Sequence, residues 1–222
     1  EFKELKIEVL YQTSIGVGGD FYDFLVLGEH CLGVFIGDVS GHGVSSAMIT
    51  AVLKDLIAKG ARDWSSPSKF LAYLNKEMFS FFTSVNSDHY VTAFYSIFNL
   101  ERDKIIYSNA GHPAPVYLGG DREARLECSS GFPLGLFRDG NYEEKERVFT
   151  VGDQVYMFTD GLFDLRNSGG QYLTEAVSVK ELMKKGKFLT YLRENIKYSK
   201  RFPLEDDLNI IKIHRTTKES GG

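Results

Sequence analysis

Cysteine is scarce in this chain: only Cys31 and Cys128 occur among 222 residues. Two cysteines cannot build the disulfide framework of a small secreted domain. Cys31 also lies in a core-like apolar run, so a reducing, cytoplasmic setting fits best, with one Cys–Cys pair left open. No apolar stretch approaches the roughly 18 residues of a membrane span, and no signal peptide is visible. A surplus of positive charge is missing too. The net charge is −4, which argues against a nucleic-acid partner, since such binders carry a basic footprint. Histidine and cysteine form no cluster, and no internal repeat, low-complexity tract or domain linker interrupts the chain.

What is present is ordinary for a globular domain, 43% hydrophobic and 25% charged. At this length one domain buries about 70% of the surface that its unfolded chain exposes. The reading is a single domain over residues 1–222 with a core of about 5–214, cut from a longer regulatory protein. Leu5, Ile7 and Val9 alternate with polar neighbours as a half-buried strand. Phe21 to Leu27 and Cys31 to Ile36 read as a hairpin turning at Gly28-Glu29-His30. From Ser45 the apolar residues Ala47, Met48, Ala51, Val52, Leu56 and Ile57 recur at helical spacing up to Gly60. Ser65-Ser66-Pro67 opens a second helix carrying Phe70, Leu71, Leu74, Met78, Phe81 and Phe82. Strands are then expected at Tyr90 to Leu100, Lys104 to Asn109, Ala114 to Leu118, Arg125 to Cys128, Val148 to Val151 and Val155 to Phe158. Residues 178–199 read as helical and Leu208 to Ile213 as a closing strand. Helices between β-rich halves imply an α+β sandwich and not a regular βα alternation.

Four acidic spots share one context: an apolar strand, then an acid, with small residues nearby. They are GGDFYD around Asp20, FIGDVSGHG around Asp38, FTDG around Asp160, and the Asp206-Asp207 doublet. A lone aspartate at a strand end is usually a turn or helix cap. Four such spots are harder to dismiss, because gathered carboxylates repel one another unless cations neutralise them. Oxygen-only donors favour hard ions, so two divalent cations, Mg²⁺ or Mn²⁺, would balance four carboxylates.

Other readings fail on spacing. GVGGD lacks the lysine of a phosphate loop and the pattern of a dinucleotide fingerprint. DVSGHG is not a nucleophile elbow, because Asp38 stands where the first glycine belongs. His42 lies beside the acids as a proton-donor candidate or a plain loop residue, and His112, before Pro113, reads as a turn former. Lys180 to Arg201 holds eight basic residues against two acidic ones, a solvated helix face first and a docking surface second.

In order, GGDFYDF, FIGDVSGHG, SNAGHPAPVYL, GFPLGLF, FTDGLFDLRN and EDDLNIIKI resemble the metal-dependent protein serine/threonine phosphatases of the PPM or type 2C class. More narrowly, they are similar to the bacterial branch named for stage II sporulation protein E. The resemblance runs from about Leu5 to Ile213. It implies an αββα sandwich of two antiparallel sheets flanked by helices, with a two-metal centre at one end. It implies that Asp38 bridges both metals with the Val39 carbonyl as a further ligand, and that Asp160 and Asp206 bind a metal. Asp20 would lie among or just behind the ligands, and Asp207 would ligate or support, with Asp206 favoured as the direct ligand. This chain departs from the DGHGG pattern by two extra residues before His42, has Asp164 where the branch often has glutamate, and lacks the usual phosphate-binding arginine near the first motif.

The activity so implied is hydrolysis of phosphoserine or phosphothreonine on a protein, with Asp38 and Asp160 as the catalytic pair and a metal-activated water as nucleophile. The resemblance further implies an upstream sensor domain, a homodimer, and an anti-sigma-factor antagonist as the phosphorylated partner. Two rivals remain: a catalytically idle module of the same fold, and a metal-dependent phosphodiesterase or nuclease.

Overall fold

The computed structural model describes residues 2–14, 16–60, 64–120, 122–128, 131–166, 170–173, 179–196 and 204–217. The ten strands among them form two antiparallel five-stranded sheets. The first is ordered β1 (Leu5–Gln12), β10 (Leu208–Arg215), β9 (Gln154–Phe158), β6 (Val116–Gly119) and β7 (Arg122–Arg125). The second is ordered β2 (Asp20–Gly28), β3 (Cys31–Val39), β4 (Val91–Asn99), β5 (Lys104–Ala110) and β8 (Lys145–Val148). No described helix is long and apolar enough to cross a membrane.

The period-two pattern decides which face each strand buries. In β3, Leu32, Val34 and Ile36 enter the core between the sheets, while Phe35 and Val39 face the other way. In β9, Val155 and Met157 join the inter-sheet core and Tyr156 and Phe158 face outward. Both outward faces are covered by helices. On the second sheet lie α1 (Val44–Lys59) and α2 (Pro67–Ser84). On the first lie α4 (Val179–Lys184) and α5 (Phe188–Ile196), which bury Met183, Phe188, Leu189 and Leu192. The layer order is therefore helix, sheet, sheet, helix.

Proline at the first turn of α2 removes an amide that would lack a helical partner anyway. Its face is fixed by Phe70, Leu71, Leu74, Met78 and Phe82, all buried in the cluster that α2 forms over β4 and β5. At about 2 kcal/mol each, five such side chains contribute on the order of 10 kcal/mol before entropy is subtracted. That is the scale of force available to hold repelling acids at the sandwich end.

Two expected strands are displaced. The segment expected at Arg125 to Cys128 forms its strand earlier, as β7 Arg122–Arg125, and that at Val148 to Val151 forms it earlier, as β8 Lys145–Val148. Both are edge strands, where charged sequences (REAR, KERV) discourage pairing with another chain. The apolar residues that suggested strands, Leu126 and Phe149, are wholly buried as plugs just beyond the strand ends. The helical stretch expected over 178–199 is split at Gly186, which has φ +66°. Residues 178 and 197–199 lie outside the described ones. A short helix, α3 (Gly161–Asp164), follows Asp160 directly.

Candidate metal centre

Asp20 and Asp38 begin and nearly end the β2–β3 hairpin, and the antiparallel register sets them directly opposite one another. Like charges in that relation repel. Asp20 is 3% exposed. Its Oδ2 accepts a hydrogen bond from Thr159 Oγ1 at 2.6 Å, and its backbone carbonyl accepts one from the Tyr11 hydroxyl. Burial, with the neighbouring Asp38, Asp207 and Asp206 adding to it, pushes its carboxyl up to about 9, although the Thr159 bond pulls the other way. Asp38 rises to about 8, first through burial and then through Asp160, Asp206 and Asp207. Two carboxyls that hold protons at neutral pH while facing further acids are poised to exchange those protons for cations.

The other acids come from the opposite sheet. Asp160 leaves the C-terminal end of β9 as the N-cap residue of α3, exposed. Asp206 and Asp207 immediately precede β10, which lies beside β9. Their roles differ. Asp207 is buried and its oxygens are engaged: Oδ1 accepts from the Ser14 amide (2.8 Å) and hydroxyl (3.1 Å), and Oδ2 accepts from the Gly19 amide (2.8 Å). Asp206 is half-buried, and its Oδ1 accepts the amide of Asp207. Its carboxyl is pushed up mainly by burial, then by Asp160, Asp207 and Asp164.

Two glycines permit this convergence. A Cβ on Gly161 would stand 2.0 Å from the Asp207 carbonyl oxygen, so only glycine lets the start of α3 lie against the 206–207 turn. A Cβ on Gly19 would stand 2.7 Å from the Val39 carbonyl oxygen, and Val39 in turn donates its amide to the Gly19 carbonyl.

Asp20, Asp38, Asp160, Asp206 and Asp207 thus meet at one end of the sandwich, where each sheet's acids act on the other's. Among the described residues no three carboxylate, imidazole or thiol groups stand close enough together to hold one ion. The donor set is all oxygen, carboxylates with the Val39 carbonyl beside them, which suits Mg²⁺ or Mn²⁺.

His42 is exposed in the turn between Gly41 and Gly43, both with positive φ, and makes no hydrogen bond to the acids among the described residues. His112 is buried, which reading it as a turn former did not foresee. The turn itself is clamped by Asn109, whose side chain binds the His112 amide and carbonyl. The ring bonds through Nδ1 to Thr92 Oγ1 at 2.9 Å, and burial holds it down at about 3, although the Phe158 backbone pulls the other way. Sequence reasoning missed Thr159, Ser14 and Thr92. The one signal was that Thr159 precedes Asp160. The basic run from Lys180 to Arg201 lies partly outside the described residues.

Residues 28–216 match the family described as Stage II sporulation protein E (SpoIIE). The chain is 32% identical over 162 residues to the phosphoserine phosphatase RsbP of Bacillus subtilis (strain 168), covering 72% of this chain and 40% of RsbP. It is 24% identical over 210 residues to the phosphoserine phosphatase RsbU of the same organism, covering 90% of this chain and 60% of RsbU. The chain therefore spans less than two thirds of each relative. The fold is similar to the SiaA-PP2C domain of Pseudomonas aeruginosa, with a TM-score of 0.78 at 19% identity over 95% of this chain and 86% of that one. With the layered antiparallel sheets and the family match over 28–216, the chain belongs to the SpoIIE family, the bacterial branch of the type 2C phosphatase fold.

Proposed function

We propose that this domain is a metal-dependent protein serine/threonine phosphatase acting in signalling. The observation that supports it most is the convergence of Asp20 and Asp38 from one sheet with Asp160 and Asp206 from the other around oxygen-only donors. The relatives named phosphoserine phosphatases support the same reading.

Asp38 stands opposite Asp20 in the hairpin and feels Asp160, Asp206 and Asp207; it is the candidate to hold both cations, with Val39 offering its carbonyl. Asp160, just after β9, and Asp206, just before β10, lie at the same end of that antiparallel pair and are the candidates to hold one of them. Asp20 is oriented by Thr159 and supports Asp38 across the register. Asp207 engages its oxygens with Ser14 and Gly19 and positions those two residues. When bound, two divalent cations supply Lewis acidity, making water a competent nucleophile near neutral pH and offsetting charge on a phosphoryl group. No covalent phosphoenzyme is required, and no serine or cysteine nucleophile is assigned. Cys128 in particular is an inert thiol, raised to about 11 mainly by burial.

A cytoplasmic location, an upstream sensor domain, a homodimer and an anti-sigma-factor antagonist as substrate complete the reading. Turnover of a phosphoserine protein with Mn²⁺, with chelator, and with Asp38→Ala tests it. Metal-dependent turnover lost in the variant is expected, and absence of turnover in the unaltered protein favours the idle module. Faster cleavage of diesters than of monoesters favours the phosphodiesterase.

A further inference from the structure

A cleft of about 520 Å³ opens beside Asp160. Thr92, the β4 residue in register with Asp38, lines it together with Asp160, so the cleft reaches the acid cluster. Pro113 and Phe163 give it apolar walls, and Arg125 and Glu127 line it from the end of β7. Leu126 between these two is wholly buried, so the alternation of extended backbone turns both charged side chains outward.

Arg125 is the only cation among the described residues that line this cleft. One guanidinium nitrogen, Nη1, donates to the Ala114 carbonyl at 2.9 Å, and the group lies 5.6 Å from the Phe158 ring, two residues before Asp160. These contacts fix the guanidinium beside the β9–α3 junction. A guanidinium carries five N–H donors, and among the described residues the remaining ones meet no partner, although Asp160 and Glu127 line the same cleft. Arg166 provides the contrast. It also lies near the acids, but it is engaged by the Gly170 carbonyl, the Tyr172 hydroxyl and Glu205.

We propose that Arg125 is the substrate-anion contact of this site. It takes an anionic group of a phosphorylated polypeptide, with Phe163 and Pro113 covering the chain beside it. The anion is either the phosphoryl group or an acidic side chain flanking the phosphorylated residue. The planar fork of arginine suits both, since either presents paired oxygens. The proposal rests on the phosphatase reading and adds a specificity-determining residue to it.

Three substrates separate the outcomes: p-nitrophenyl phosphate, a phosphoserine peptide with neutral flanks, and one with acidic flanks, each assayed with Mn²⁺ on the whole chain. Arg125→Ala is expected to lower kcat/KM by roughly 10–100-fold on the acidic peptide, the scale of a lost charge-assisted contact. Arg125→Lys should recover part of it. If p-nitrophenyl phosphate and inhibition by inorganic phosphate suffer equally, the contact is to the phosphoryl group. If only the acidic peptide suffers, with KM carrying the change, the contact is to the flanking acid. An unaltered protein active on these substrates, with Arg125→Ala within twofold on all three, overturns the Arg125 assignment alone. An unaltered protein inactive on all three overturns the phosphatase reading beneath it. Arg125 is exposed, so matched melting curves are expected and exclude misfolding as the cause.

Discussion

Replacing Asp207 by alanine removes the acceptor for three hydrogen bonds at once, those from the Ser14 amide, the Ser14 hydroxyl and the Gly19 amide. Ser14 is half-exposed and water can serve it. The bond from Gly19 is buried, so its N–H is orphaned. One orphaned donor costs about 1–3 kcal/mol, and losing a charge-assisted bond a further 1.5–3. Against this, the Asp207 charge itself bears on Asp20 and Asp38, so its removal returns something. The lower end, about 2.5 kcal/mol, is expected, or a melting temperature roughly 5–10 °C lower in chelator.

Asp206→Ala should behave in the opposite way. The one hydrogen bond it loses comes from the adjacent amide, and Asp38 is relieved of a neighbouring charge. In chelator the variant should melt at or above the unaltered protein. With Mn²⁺ at about a hundred times its Kd, the unaltered protein gains about 2.7 kcal/mol, and Asp206→Ala should lose most of that gain. Differential scanning fluorimetry of both variants, with and without Mn²⁺, reads all four numbers. If Asp207→Ala melts within about 2 °C of the parent, or the two variants respond alike, the division of labour between the two acids is wrong.

Because burial and repulsion raise Asp38 above its unfolded value, the folded state holds more protons than the unfolded one between about pH 4 and 8. Its contribution in chelator therefore falls as pH rises through that window, and a melting profile of Asp38→Asn should be flatter than the parent's; a parallel profile refutes this. His112 has the opposite sign. Its folded value, depressed to about 3, makes stability fall as pH drops below about 6.5, so His112→Gln should soften the acid limb of the melting curve, and an unchanged limb counts against a buried neutral ring. Thr159→Val strips Asp20 of its donor and orphans the buried Asn209 amide. It should weaken Mn²⁺ binding roughly 10–100-fold, measurable by calorimetry, and unchanged affinity would separate Asp20 from the centre. Gly161→Ala forces its methyl against the Asp207 backbone; loss of the Mn²⁺-induced melting shift is expected, and a full shift would mean the two turns move independently.

The elements legible in the sequence were those whose side chains repeat a burial pattern. β3, β9 and α2 are read directly from Cys31 to Ile36, Val155 to Phe158 and the helical spacing of Phe70, Leu71, Leu74 and Met78. The extent of α1 was legible but its face was not: of Ala47, Met48, Ala51, Val52, Leu56 and Ile57 only Ile57 is buried, and the buried face is Ser46, Ile49, Leu53 and Ile57, with Met48 exposed. β7 and β8 were not, because an edge strand is selected partly for charge and so hides its period. The same division runs through the site. Asp20, Asp38 and Asp160 announce themselves at strand ends beside glycines, and the Asp206-Asp207 pair as an acidic doublet just before a strand. The groups that align them do not, since Thr159 and Ser14 are common hydroxyl residues whose importance lies in what they touch from far along the chain.

Those hidden contacts share one geometric property. Thr159 to Asp20 and Asp207 to Gly19 each tie the β9–β10 end of one sheet to the β2–β3 end of the other. The core between the sheets, with Val34, Ile36, Phe94, Met157 and Ile211, sets their separation, but side chains that only fill volume tolerate sliding better than hydrogen bonds tolerate misalignment. Sheet packing therefore brings the acids near one another at the cost of repulsion, and the cross-sheet bonds set their alignment. The seam, and neither sheet by itself, is therefore the element on which the proposed metal affinity would depend.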